Sequence, residues 1–470
     1  MKLYSKDGTT FKVLAFPMEN VHKGEYLTIT DRDRGITYLV QVIDINYIDI
    51  PGLTEELVRE ELTVNEGEEI GFLNLGDILT TLRDVKVLDC EFRGIIRDGQ
   101  IRRMIVDLPS RSKAIIEKIP SSQVLELLLG EGRRILIGKD LEGFDVFINA
   151  EDLDGALTLI TGMKGTGKSH LAKLLVLELV KKGAPVMVFD INGEYVGLAR
   201  RMKDRIKVLY PGENLKFSID YLEKGIILDI LTNVLDLPGV SANFFNDLWP
   251  IAEKRGKITI DSLIDVVKSA TTNIMVKDAL LTRLMTLRAT KFIRDNGQSS
   301  RIEDLIKAGT ASIIVLRDLP PLDRRILVEI LLSKFVSLLL NEKLPSFFLF
   351  AEEAHLYVRQ TYWEDIITRM RHFGLFVIFI TNQLESLDQR VFKQLDNVFL
   401  FSFKNDGDLE RISKISDADV KTIKTMVKDL PRGVCLIIGK VVSSMPLVVQ
   451  VRDIGDDALG RTRFVFRNAF

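Results

Sequence analysis

The chain has 470 residues, too many for one ordinary hydrophobic core, so two or three domains are expected. With 46% apolar residues, 28% charged residues and a formal net charge of −2, it is a folded protein without the basic coat of a general nucleic-acid binder, although a narrow basic channel fits that balance. Two distant cysteines exclude a disulfide framework, four histidines argue against a histidine metal site, and no apolar run approaches the ~20 residues that span a bilayer. No apolar stretch follows the charges of Met1–Lys6, so a cytoplasmic protein with no membrane partner is expected.

Residues 1–112 read as a small β domain. Glu25–Thr30 and Ile36–Val42 flank a polar Asp31–Gly35 turn, and Val85–Ile96 and Ile101–Val106 flank Asp98-Gly99, so two hairpins are expected. Leu53–Leu62 reads as a helix, and Pro109, Ser110 and Ser112 mark a boundary. From about Ile135 strands and helices alternate, which predicts an α/β core with a parallel sheet covered on both faces, spanning 113–450. Its strands are expected at Leu157–Ile160, Pro185–Phe189, Ala311–Leu316, Phe347–Phe350, Phe376–Ile380 and Val398–Phe403, with a helix over Ser169–Lys182. A helical insert is expected at about 228–296, and 451–470 forms a C-terminal extension with the basic, aromatic Gly460–Arg467.

Between the first core strand and its helix stands Gly162-Met163-Lys164-Gly165-Thr166-Gly167-Lys168-Ser169, followed by His170. The eight residues satisfy G-x-x-x-x-G-K-[ST] without a mismatch, in the strand–loop–helix setting it requires. Glycines let successive N–H groups curl toward phosphate oxygens, and the helix start adds a positive end. Lys168 brings a point charge to the outer phosphates, and the Ser169 hydroxyl can complete a magnesium shell. A dinucleotide loop would need glycine where His170 stands. ATP with Mg²⁺ is the expected cofactor.

Such a loop needs acids from a neighbouring strand. Phe347-Phe-Leu-Phe-Ala-Glu-Glu-Ala-His355 supplies an apolar strand that delivers Glu352 and Glu353 at its carboxyl end. Adjacent residues of an extended chain point opposite ways, so Glu352 is expected to hold the metal through water and Glu353 to activate the attacking water. Asp190, closing Val186–Asp190 with Glu194 behind it, is a further acid for the metal. Gln383, after the strand Phe376–Ile380, is placed to sense the outer phosphate.

Taken together, the β leader, the phosphate loop, Asp190-x-x-Gly-Glu-Tyr195, the helical insert, Glu352-Glu-Ala-His355, His372-Phe-Gly374 and Thr381-x-Gln383 resemble the HerA/FtsK group of P-loop motor ATPases, the archaeal HerA type above all. That resemblance implies a RecA-like core, a HAS-type barrel at the amino terminus that docks a NurA-type nuclease for DNA end resection, and a homo-hexameric ring that threads double-stranded DNA. It also implies that Arg371, with Arg369 as its understudy, reaches the neighbouring subunit's ATP. A conjugation or DNA-import motor and a nucleotide-gated scaffold are the alternatives. The chain departs from the group at Asp154-Gly-Ala156, where many members carry an Arg-His pair. Arg359, Gln360, Tyr362 and Trp363 are candidates for a pore loop.

Overall fold

The computed structural model describes residues 1–47, 84–102, 108–111, 113–295, 299–356, 369–387, 389–403, 406–413 and 420–455. The helix expected at Leu53–Leu62, the pore-loop candidates and Gly460–Arg467 lie outside these residues. Two units divide the chain, the first drawn from 1–131, 138–147 and 402–450 and the second from 132–137, 148–401 and 451–470.

Seven strands open the first unit: β1 (Lys2–Asp7), β2 (Thr10–Ala15), β3 (Tyr26–Asp31), β4 (Ile36–Tyr47), β5 (Lys86–Arg97), β6 (Gln100–Arg102) and β7 (Ala114–Ile119). They pair in the order β1-β2-β5-β4-β3-β7, with β6 added on β5, and every pairing is antiparallel. Both expected hairpins are present, β3–β4 and β5–β6. Period-two alternation sets the buried face: in β2, Phe11, Val13 and Ala15 point inward while Thr10, Lys12 and Leu14 do not. Register breaks between Leu39 and Val40 and between Val42 and Asp44 bend β4 against β5, and the sheet curls into a half-barrel. Phe11, Tyr38 and Phe92 fill its core, with ring centroids 6.1–6.5 Å apart.

A short helix α1 (Ser121–Glu126) and strands β8 (Arg134–Lys139) and β9 (Asp145–Asn149) lead to the second unit. There the chain forms β10 (Thr158–Thr161), α2 (Lys168–Lys181), β11 (Val186–Asp190), β12 (Ile206–Leu209), α3 (Ile219–Asp229), α4 (Gly239–Lys254), α5 (Ile260–Ser269), α6 (Ile274–Ala289), β13 (Ala311–Val315), α7 (Pro321–Leu340), β14 (Phe347–Glu352), β15 (Leu375–Thr381), α8 (Gln389–Phe392) and β16 (Asn397–Leu400). Its strands run parallel in the order β12-β13-β11-β14-β15-β10-β16. Every residue of β10, β11, β13 and β14 is buried, as strands covered on both faces require. This is the expected RecA-like α/β core, with α3–α6 as its helical insert.

The insert is fastened to α7 by a buried ammonium. Lys334 Nζ donates to the Tyr221 carbonyl at 2.8 Å and to Glu223 at 3.0 Å, and stands 4.4 Å from the Tyr221 ring centroid. Glu223 reaches it from a left-handed backbone (φ 68°) that kinks α3, and α3 ends in a π-turn at Ile230–Val234.

The chain then returns to the first unit with α9 (Asp406–Ser413), α10 (Val420–Val427) and the antiparallel pair β17 (Val434–Gly439) and β18 (Leu447–Val451). The Pro446 carbonyl accepts from the Tyr26 hydroxyl at 2.7 Å and from Gln41 Nε2 at 2.8 Å, while Arg93 Nε donates to Gln41 Oε1 at 3.1 Å. Among the described residues no helix is long and apolar enough to cross a membrane.

Candidate active site

The phosphate loop leaves the carboxyl end of β10 and feeds α2, with Gly167 at the helix start. Gly162 (φ 148°) lies against the next strand: a Cβ there would stand 2.6 Å from Phe401 Cβ. Gly165 has open space around it but a left-handed φ of 80°. Both glycines are thus required, one by crowding and one by backbone angle. Lys168 Nζ donates to the Gly162 and Met163 carbonyls at 2.9 and 2.8 Å, and the Thr166 hydroxyl donates to Met163 at 2.8 Å. The loop is therefore tied to itself around a buried ammonium. Burial pulls Lys168 below the ordinary lysine range, against the opposing charges of Glu353, Glu194 and Glu352. The His170 ring points elsewhere. Its Nε2 meets the Arg452 carbonyl at 2.9 Å, and since a carbonyl only accepts, that nitrogen carries the proton.

Strand β14 ends at Glu352, which is 1% exposed. Glu353 follows in a left-handed conformation, φ 45°. This backbone reversal breaks the pleat of a continuing strand on which the expectation of opposite-facing carboxylates rested. Burial, then Asp190, then Glu194 push Glu352 well above the usual carboxylate range. Asp190, at the end of adjacent β11, is also raised by burial, although the Tyr195 and Glu194 backbone N–H groups donate to it.

The turn after β11 is built by Asp190 itself, which accepts from Glu194 N–H and Tyr195 N–H, each at 2.9 Å. Glu194 in turn meets Lys173 of α2 at 3.4 Å. Lys173 went unnoticed in the sequence, where it is one polar residue in an apolar helix. A polar residue on the otherwise buried face of α2, four positions after Ser169, was the signal that could have found it.

Gln383 lies two residues past Thr381, which is level with Thr161 across the β10–β15 pair, so it flanks the loop at the same edge of the sheet. Its backbone N–H donates to the Thr381 hydroxyl at 3.1 Å and its side chain is exposed. Arg371 is placed otherwise. It precedes β15 at the amino edge of the sheet, where Nη1 stands 3.7 Å from Asp396 Oδ2, and Asp396 accepts the Leu157 N–H at 2.8 Å. The length of β10, about 13 Å of strand, separates that corner from this chain's own loop.

Among the described residues no group of three or more His, Cys, Asp or Glu forms a metal cage. Magnesium does not require one, because it keeps several waters and takes one or two protein groups beside the phosphates. The buried Glu352–Asp190 pair, raised by burial, is of the oxygen-donor chemistry that suits that role together with the Ser169 hydroxyl.

Comparison with known proteins bears on the family and the fold. Residues 135–335 match the family described as "Helicase HerA, central domain". A probable helicase of Methanocaldococcus jannaschii is 22% identical over 87% of this chain and 85% of its own length. The DNA double-strand break repair helicase HerA of Pyrococcus furiosus is 19% identical over 94% of this chain and 90% of its own length. The DNA import protein CedB of Sulfolobus acidocaldarius is 25% identical over 74% and 60%. Among solved structures, VirB4 of Thermoanaerobacter pseudethanolicus superposes with a TM-score of 0.55 at 17% identity, covering 69% of this chain and 98% of that one. The plasmid coupling protein TrwB with a non-hydrolysable ATP analogue also reaches 0.55, at 15% identity over 71% and 92%. At those identities the structures speak for the fold.

Proposed function

We propose that this chain, a P-loop ATPase of the HerA type, couples ATP hydrolysis to movement along double-stranded DNA. The observation that carries the reading is the phosphate loop on β10 and the Glu352–Glu353 pair on β14 at one edge of the sheet, with only β15 between them. In the reaction Lys168 leaves the carbonyls of Gly162 and Met163 for the outer phosphates, and the N–H groups of Gly162–His170 cradle them. Ser169 and Glu352 would hold magnesium, with Asp190 supporting Glu352. The chemistry such an ion would supply is to offset charge on the phosphate oxygens. Glu353 takes the proton of the attacking water, and Gln383 orients toward the outer phosphate.

Arg371 supports a ring. It lies at the edge opposite its own loop, so a transition-state contact from it serves a neighbouring subunit, as in a homo-hexamer with DNA in the pore. The curled sheet of the first unit (the barrel domain read over 1–112) is the docking face for a NurA-type nuclease in end resection, and the protein acts in the cytoplasm. Similarity to CedB favours DNA import as the second reading.

The test is ATP hydrolysis by the purified protein with and without duplex DNA. Lys168→Ala and Glu353→Gln are expected to lower kcat by at least ~100-fold, with Glu353→Gln still binding nucleotide. Absence of hydrolysis with DNA and nuclease present would defeat the motor reading. A nucleotide-gated scaffold instead predicts that Glu353→Gln leaves nuclease stimulation intact.

A further inference from the structure

Helix α2 buries a charge that the phosphate chemistry above does not use. Lys173 is 1% exposed, and its neighbours Leu171, Ala172, Leu174, Leu175 and Val176 are fully buried. Its ammonium stands 3.4 Å from Glu194 Oε2 and 5.6 Å from the centroid of the Tyr195 ring. Burying an ammonium is costly, and an apolar side chain of similar volume would stabilise such a position at least as well. Stability therefore does not account for the lysine.

Its partners do. Glu194 and Tyr195 are the two residues whose N–H groups Asp190 gathers into its turn. Asp190 ends the strand beside β14, next to Glu352, whose carboxyl it pushes up. On the other side Lys173 lies one helical turn from Ser169, so α2 carries the ammonium and the phosphate loop as one rigid piece. Glu194 also faces both Lys168 and Glu352 electrostatically. We propose that Lys173 is a positioning residue: through Glu194 and the Tyr195 ring it fixes the turn bearing Asp190, and hence the Asp190–Glu352 pair, in register with the phosphate loop. This rests on the ATPase reading and adds to it the part that aligns the two halves of the site.

The asymmetry of the pair makes the test clean. Lys173 has 2% of its side chain exposed and Glu194 30%, so Lys173→Met removes the buried charge and leaves a carboxylate that water already reaches. Three variants are compared: Lys173→Met, Glu194→Gln and the double. Each is measured for melting temperature without ligand, affinity for a fluorescent ATP analogue in EDTA and in Mg²⁺, and kcat and KM for MgATP. Lys173→Met is expected to melt within about 3 °C of the parent protein and to bind the analogue normally in EDTA. It is expected to lose the gain in affinity that Mg²⁺ confers, and to drop at least ~10-fold in kcat with KM within about 2-fold. The double variant should fall no further than either single one.

A Lys173→Met protein that melts much lower yet keeps its kcat and its Mg²⁺ gain would make the lysine a structural prop and overturn the proposal. So would a double variant whose loss is the product of the singles. Should Lys173→Met not fold, Glu194→Gln, altered at a partly exposed residue, gives the same readouts. If the parent protein binds the analogue but hydrolyses nothing, the ATPase reading fails. The Mg²⁺ gain then decides the positioning role on its own, supporting it if lost in Lys173→Met and overturning it if kept.

Discussion

Gly162 and Gly165 occupy the same loop, yet a methyl group would act differently on each. At Gly162 it meets Phe401 Cβ at 2.6 Å and the Phe401 backbone at 3.2 Å, so the loop or β16's end must move. At Gly165 it meets nothing within 4 Å and costs only the left-handed angle, about 1 kcal/mol. Gly162→Ala is therefore expected to lose roughly 2–3 kcal/mol of stability and most nucleotide affinity, as read by urea denaturation and analogue binding. Gly165→Ala should lose about 1 kcal/mol. The loop was legible in the sequence because its chemistry is written in consecutive residues. The acids were legible for a related reason, an apolar strand that ends in charge. Neither the left-handed φ of Glu353 nor the Lys173–Glu194 pair could be read, since the first depends on how β14 terminates and the second joins residues 21 positions apart.

At the scale of elements, β10, β11, β14 and β15 were recognisable as short runs buried on both faces. Val434–Ile438 is just as apolar, but nothing local says that β17 pairs antiparallel with β18 in the other unit. The helical insert was legible as a loss of strands, whereas its fastening to α7 was not. That junction carries a pH dependence. Glu329 on α7 is 1% exposed, and its carboxyl is pushed up to about 7 by burial and by Asp229, against hydrogen bonds from Asn233 and Ser333 and the charge of Arg325. Its value in the folded protein exceeds that of the unfolded chain, so the folded state holds the extra proton. Stability from this group is fully present below about 4.5 and is lost as pH rises toward 7. Denaturation midpoints of the parent protein should fall between pH 5 and pH 8 by more than those of Glu329→Gln, in which the slope from this group is gone. Equal slopes would show that the carboxyl is not held neutral.

For the whole molecule, the proposed ring, in which Arg371 serves a neighbour's site, would leave a lone chain incomplete. Lys168→Ala subunits retain Arg371, and Arg371→Ala subunits retain the phosphate loop. Each variant alone should hydrolyse ATP at a small fraction of the parent rate. Co-assembled in equal amounts they should recover a clear part of it, and native mass measurement with ATP should give six chains. No recovery on mixing would remove Arg371 from the neighbour's site. The order of the motifs along the chain announced an ATPase core with a β-rich leader. It could not announce that the leader's unit draws on residues 402–450, because hydrogen bonds from Tyr26 and Gln41 to Pro446 leave no trace in local pattern.

Those two hydrogen bonds also set an order of events at the ribosome. Gln41 and its acceptor are 405 positions apart, so at roughly 5–20 residues per second the amino-terminal sheet waits about 20–80 s for its last partner. The long segment 148–401 of the ATPase unit leaves the ribosome within that interval. During synthesis, then, the first part made is the last part closed, and a stalled chain would present a built ATPase core together with an open half-barrel.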